Sequence, residues 1–330
     1  MTHSHYSPAI LLLAAFVLLP TAKSDPLNGG TQWRALPNVQ TALGVTNYAW
    51  NGDSICFSNE QNLIRFYQGR RKFDVNGTTV WLNAQPDGSV TSGDWRLAAT
   101  DLDLLQLSVL PKEEGALKPV RVMLDPGHGG EDDGASSKDP AVKEKDLTLA
   151  MALKLGAHLT AAGLQVVYTR TNDTALALDE RSVLARRSKA DLFVSIHLNA
   201  AANSDSSGIQ THILPPAGCP ITESAFVSTR DRVAFPGNRH DEANMILGYY
   251  LQKSLIKYTR LEDRGVRRSR FYVIRNVDCP AALVECGFIS SRNDRTKIMT
   301  SAYRDNVVRG IAEGILTYLN MVKRAQALNP

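Results

Sequence analysis

From Val120 onward, short apolar runs that suit a β-strand alternate with amphipathic helical stretches, and this alternation restricts the possible folds more than any other feature. Strands are expected at Val120–Asp125, Gln165–Thr169, Leu192–His197 and Gly208–Ile213, with late strands near Phe271–Ile274 and Ala281–Glu285. Helices are expected from about Asp146 to Ala162, Asp179 to Lys189, Glu242 to Tyr258 and Tyr303 to Lys323. Strands that alternate with helices bury both faces of a mainly parallel twisted sheet, so the expected class is α/β with three αβα layers.

The chain ahead of this pattern reads differently. Residues 51–110 hold strand-like segments (ICFSNE, LIRFYQG, RKFDVNG, TVWLNAQ) separated by the turn signals Asn76-Gly77 and Pro86-Asp87-Gly88. They suggest a small β-rich accessory domain, closed by a helix-like run at Ala98–Leu107. Residues 25–50 read as a loose lead-in, 111–118 (PKEEGALK) as a polar linker and 119–326 as the main domain. At the start, Ala9–Leu19 is apolar but too short to span a bilayer, and Pro20 and Ala22-Lys23-Ser24 follow it. That is the pattern of a secretory signal peptide covering 1–24, so the expectation is an exported protein, periplasmic or extracellular, without a transmembrane anchor. Export permits disulfides among Cys56, Cys219, Cys279 and Cys286; their spacing matches no zinc knuckle and leaves three pairings open. With 37 basic residues against 33 acidic, the balance is too even to suggest nucleic acid as a partner.

The stretch VMLDPGHGGEDDGA (Val122–Ala135) invites comparison with a phosphate-binding loop. It contains neither Gly-Lys-Ser/Thr nor the G-x-G-x-x-G spacing, and Pro140 follows the glycines. Open α/β sheets place ligands beyond the carboxyl ends of their strands. His128 follows the first expected strand, His197 ends LFVSIHL and Glu285 ends AALVE, so all three reach one rim. Glu144, in KEKDLTLA, lies in the first turn of the next helix. Two imidazoles and a carboxylate with one open position suit a catalytic zinc ion. Such a site also wants a carboxylate that moves protons without binding the metal, and topology offers Glu285.

Together, His128 in LDPGHGG, Glu144 in KEKD, His197 in VSIHLNA and Glu285 in LVECGF resemble the zinc-dependent N-acetylmuramoyl-L-alanine amidases of the type-3 family. The resemblance runs from about Val120 to the last helix. It implies zinc held by His128, Glu144 and His197, with Glu285 as catalytic acid/base and peptidoglycan as substrate. A protein activator is a further candidate partner, though nothing in the sequence reveals a need for one. Thr169-Arg170, Asp173, Arg181, Asn199-Ala200 and Arg264-Gly265-Val266 also fit the family pattern, and Asn199, Arg170 and Arg267 are the expected substrate contacts. Three features depart from it: Arg187 or its neighbour stands where the family usually has Ala-Asn in the helix before VSIH, Thr211-His212 replaces an aromatic-rich strand, and Leu214–Asp241 is a long insertion broken by prolines. That insertion is expected to be a loop forming a cleft wall or lid.

Each residue also has a plainer reading. A lone strand-end histidine is usually structural, Glu144 suits a helix N-terminus without any metal, and Glu285 can pair with an arginine. His212 and His240 read as structural or solvated, Arg170, Arg181 and Arg267 as surface ion pairs, and the basic run Arg264–Arg270 as a solvated edge. At the level of function, a zinc carboxypeptidase and a non-catalytic wall-binding protein are the alternatives.

Overall fold

Alternation along the first core strand divides its side chains between two clusters: Val122 and Leu124 enter the larger one, Met123 the smaller. This two-residue period places one sheet between two helical layers. The computed structural model describes residues 32–45, 47–59, 62–108, 120–138 and 141–328. The expected signal peptide and the 111–118 linker lie outside these residues.

In chain order the first elements are β1 (Trp33–Ala35), α1 (Leu36–Leu43), β2 (Asn47–Trp50), β3 (Ser54–Ser58), β4 (Leu63–Tyr67), β5 (Lys72–Val75), β6 (Thr78–Trp81), β7 (Arg96–Ala98) and α2 (Ala99–Ser108). Next come β8 (Arg121–Pro126), β9 (Ser136–Lys138), β10 (Ala141–Lys143), α3 (Glu144–Ala161), β11 (Gln165–Tyr168), α4 (Leu178–Arg187), β12 (Leu192–Asn199) and β13 (Ile209–Ile213). The chain continues through α5 (Asp241–Thr259), β14 (Asp263–Arg268), the single turn α6 (Tyr272–Arg275), β15 (Ala281–Phe288), α7 (Arg292–Ile298) and α8 (Ser301–Leu328).

Strands β11, β8, β12 and β15 lie side by side in parallel. β13 joins β15 antiparallel, and β14 runs parallel to β13. Helices α3, α5 and α8 pack together on one face. On the other, α4 and α6 cover Met123, Phe193 and Leu283. The α/β expectation holds, with mixed strand direction at β13 and β14.

The β-rich segment does not form a sheet of its own. β6 pairs with β14 through Val80 and Val266, so β6, β5, β4, β3 and β2 extend the same sheet. Phe57, Phe66 and Val80 share one apolar cluster with Val194, Val284 and Ile311. Polar ties cross the junction: Thr79 N donates to Asp263 Oδ2 at 2.8 Å, and Trp81 Nε1 to Arg264 O at 3.2 Å.

Several local expectations need correction. The lead-in at 25–50 is not wholly loose, because α1 forms within it: Pro37 stands in its first turn, Val39 and Leu43 are buried, and Gly44 in the left-handed region caps its end. The basic run Arg264–Arg270 is no solvated edge. It supplies most of strand β14, and Arg268, 1% exposed, reaches Asp101 Oδ1 at 3.6 Å. Phe271–Ile274 is no strand but the region of the turn α6, closed by Arg275 N donating to Phe271 O. The insertion is irregular, as expected, apart from short 3-10 turns at Thr229–Arg232 and Pro236–His240. All four cysteines are free thiols.

Candidate metal centre

β8 ends at Pro126, and the chain then turns back through a glycine-rich loop that carries His128 at φ +61°, a left-handed conformation rare for a residue with a side chain. Two glycines make room for the site. A Cβ on Gly127 would lie 2.3 Å from the His197 ring, and one on Gly134 would lie 2.5 Å from the His128 ring and 2.6 Å from Glu144 Oε2. The loop therefore lacks side chains where the two histidines and Glu144 converge.

Buried arginines hold the loop from below. Arg181 Nη1 pairs with buried Asp125 at 2.7 Å, while its Nη2 donates to His128 O at 2.8 Å. Arg170 donates to Pro126 O, Gly127 O and Lys145 O at 2.8–3.1 Å. Asp125 also accepts from Thr169 and Ser195 hydroxyls at 2.6 and 2.7 Å. A backbone that turns away from a sheet exposes carbonyls no strand can satisfy, and these guanidinium groups satisfy them. The surface-pair reading of Arg170 and Arg181 fails, and Arg170, 4% exposed, faces the loop.

The sequence-expected ligands meet here. Glu144 opens α3 and is 2% exposed. His197 Nδ1 lies 2.9 Å from its Oε1, and His128 Nε2 lies 3.2 Å from its Oε2. Backbone N–H groups of Leu198 and Ala135 also donate to Glu144, each at 2.8 Å. One donor atom from each of His128, Glu144 and His197 falls within 4.8 Å of the others. Tetrahedral ligands about 2 Å from an ion lie about 3.3 Å apart, so this donor set fits a small divalent cation.

The electrostatics agree with that fit. Burial works to raise the Glu144 carboxyl, but hydrogen bonds from His128 and His197 hold it down at about 2. Burial works against a charged His128, yet Glu144 and Asp132 raise it to about 9. A buried carboxylate that demands positive charge from both flanking imidazoles is a ready cation site. The other ring nitrogen of His128, Nδ1, donates to Asp132 Oδ2 at 2.8 Å, which fixes the ring and leaves Nε2 facing the cluster.

Glu285 is the in-register partner of His197 across β15 and β12, so the two side chains leave the sheet on the same face. Its Oε2 is buried without a hydrogen bond among the described residues. Burial pushes this carboxyl up to about 7; His197 opposes the rise and Glu144 adds to it. A carboxyl titrating near neutrality suits a group that must take up and release a proton. No arginine pairs with it among the described residues.

Beyond Glu285 a cavity of about 670 Å³ opens over β13. Its floor includes Asn199, Gln210 and His212, and the inserted segment supplies a wall through Ile221, Arg230 and Phe235. The inserted segment is thus one wall of this cavity. Of the three expected substrate contacts only Asn199 lines this cavity. Arg267 instead pairs with Glu223 at 2.8 Å and lies over the Trp81 ring. His212 is buried, with Nδ1 2.8 Å from Ser269 Oγ, and His240 lies 3.4 Å from Asp278. Sequence reasoning missed Gln210 and the cavity face of His212. The signal was there in the register, since Gln210 opposes Glu285 and His212 opposes Leu283, but strand pairing is not written in one strand's own pattern.

Residues 122–317 match the family described as N-acetylmuramoyl-L-alanine amidase. The chain belongs to that family. The amidase is 34% identical over 211 residues to N-acetylmuramoyl-L-alanine amidase CwlM of Bacillus licheniformis, a match covering 63% of this chain and 72% of the relative. Among solved structures, an N-acetylmuramoyl-L-alanine amidase from Clostridium difficile 630 is 36% identical with a TM-score of 0.52, covering 61% of this chain and 97% of that one. The CwlD amidase of Clostridioides difficile, solved in complex with the GerS lipoprotein, is 28% identical with a TM-score of 0.51, covering 61% and 98%. The amidase therefore carries its β-rich N-terminal residues in addition to a part that spans nearly the whole of these two chains.

Proposed function

We propose that the amidase hydrolyses the amide between the lactyl group of N-acetylmuramic acid and the L-alanine of the peptidoglycan stem peptide, with His128, Glu144 and His197 holding one zinc ion and Glu285 moving the proton. Two imidazoles and one carboxylate form the donor set of a catalytic zinc site with a position left for water. When bound, zinc polarises the substrate carbonyl and acidifies water.

This chain's own residues do the rest. Asp132 and the backbone donors of Leu198 and Ala135 orient the ligands. Glu285 takes the proton from the attacking water and hands it to the amide nitrogen as the C–N bond breaks, so that the amine departs neutral. The observation that carries this reading is the pairing of His197 with Glu285 on adjacent strands, one beside Glu144 and the other with a buried carboxylate oxygen that has no hydrogen bond among the described residues.

The apolar run Ala9–Leu19 supports export to the periplasm or the cell exterior. Among the described residues no helix is long and apolar enough to cross a membrane. The relative solved with a lipoprotein supports a protein partner for this chain too.

Mass spectrometry of fragments released from purified peptidoglycan tests the proposal. Intact stem peptides with a free L-alanine amine, leaving glycan whole, are expected, and a chelator should stop their release. Free amino acids would point to a carboxypeptidase, and an unchanged wall to a binding protein.

A further inference from the structure

The cavity past Glu285 has a chemical character of its own. Its wall carries Arg230, Arg270 and Arg275. Arg270 is neutralised by Asp231 at 2.6 Å, just as neighbouring Arg267 is neutralised by Glu223. Arg275 is not neutralised. Among the described residues its guanidinium makes only a 3.5 Å contact to Arg270 O, its Nε is buried without a partner, and no carboxylate lies within ion-pair distance. The group is nevertheless held in place, 4.8 Å from the centre of the Phe235 ring and 5.1 Å from that of Tyr272. Cation–π contacts on two rings keep a guanidinium charged and oriented without consuming its hydrogen-bond donors. Arg230, exposed on the inserted turn, adds a second cation without an ion-pair partner among the described residues.

Order along the sheet gives the cavity its place in the reaction. The strands run β8, β12, β15, β13, so the His128–Glu144–His197 cluster lies to one side of Glu285 and the cavity floor, Gln210 and His212, to the other. A residue that protonates the departing amine faces the amine side of the scissile bond. On the amidase reading a stem peptide would therefore extend over β13, towards Arg275.

We infer that this cavity is the peptide subsite of the amidase and that Arg275, with Arg230 at the rim, recognises a free carboxylate on the stem peptide. The inference rests on the amidase reading above. It makes the inserted segment, through Phe235 and Arg230, a determinant of which stem peptides are cleaved. A guanidinium matches a carboxylate with two parallel hydrogen bonds, and a primary amide in the same place offers neither the charge nor the second acceptor.

The test compares soluble muramoyl-peptides that differ only in whether each peptide carboxyl in turn is free or a primary amide. For one position, the free acid should exceed the amide by about 10- to 100-fold in kcat/KM. Arg275→Gln should bring the acid down to the amide's value, chiefly through KM, and Arg275→Lys should keep part of the preference. Equal kcat/KM for acid and amide at every position in the wild type overturns the inference, and needs no variant to fold. So does an Arg275→Gln enzyme that loses activity equally on both forms, which is the mark of a purely structural arginine. If the wild type cleaves neither form, the amidase reading itself fails and the subsite falls with it; loss of the preference alone removes only the subsite.

Discussion

Asp132 Oδ2 lies 2.8 Å from His128 Nδ1, on the opposite side of the ring from the nitrogen that meets Glu144. A neutral imidazole that donates through one nitrogen must accept or ligate through the other, so Asp132 selects the tautomer that a metal needs. Asp132→Ala should weaken metal binding by about 10- to 100-fold while leaving the fold intact. Competition against a chromophoric chelator measures this, and wild-type affinity in the variant would assign Asp132 to the turn alone.

Beneath the same loop, Arg181 and Asp125 form a pair in which both side chains are almost fully buried. Removing one partner leaves a charge in the protein interior, at a cost of about 3–5 kcal/mol. Arg181→Met should lower unfolding stability by that order in urea titrations and loosen the His128 carbonyl that Arg181 holds. A loss within about 0.5 kcal/mol, the usual range of a surface substitution, would show that the pair carries no such burden.

His212 supplies a pH signature. Burial, reinforced by Arg267 and His197, lowers it to about 3 in the folded protein, against an ordinary value near 6.5. Folding therefore favours the neutral ring. Its contribution to stability is fully present above pH 6.5 and is lost as pH falls from there towards 3, where the unfolded chain binds a proton that the folded one refuses. Between pH 6.5 and 5 this amounts to about 2 kcal/mol. His212→Asn should lose less stability than the wild type over that interval, as measured by urea unfolding at pH 7.5 and 5.0. Equal losses in both proteins would mean that His212 is not the titrating group.

His128 and His197 of the candidate metal centre were legible because each stands at or just beyond the end of a strand whose apolar run is unmistakable, and carboxyl ends of parallel strands gather on one rim; Glu144 was legible instead as a carboxylate in the first turn of the next helix. Asp125 and Arg181 were visible as residues but not as a pair, since 56 positions separate them. Strand β14 (Asp263–Arg268) was hidden for a different reason. Its sequence DRGVRR lacks apolar alternation, and it is a strand because β13 and β6 pair with it and Asp101 receives Arg268. The run Phe271–Ile274 erred in the opposite direction, because four largely apolar residues fit a strand and a helical turn equally well. Arg275, without an ion pair among the described residues, follows directly after this misread run.

The central claim is that Glu285 moves the proton while three other residues hold the metal. It is tested most directly by the rate of stem-peptide release from purified peptidoglycan by Glu285→Gln, assayed at full metal occupancy. The variant keeps the side-chain shape but cannot accept a proton, so release should fall by about 10²- to 10⁴-fold. Release near the wild-type rate from the metal-loaded variant would contradict the assignment.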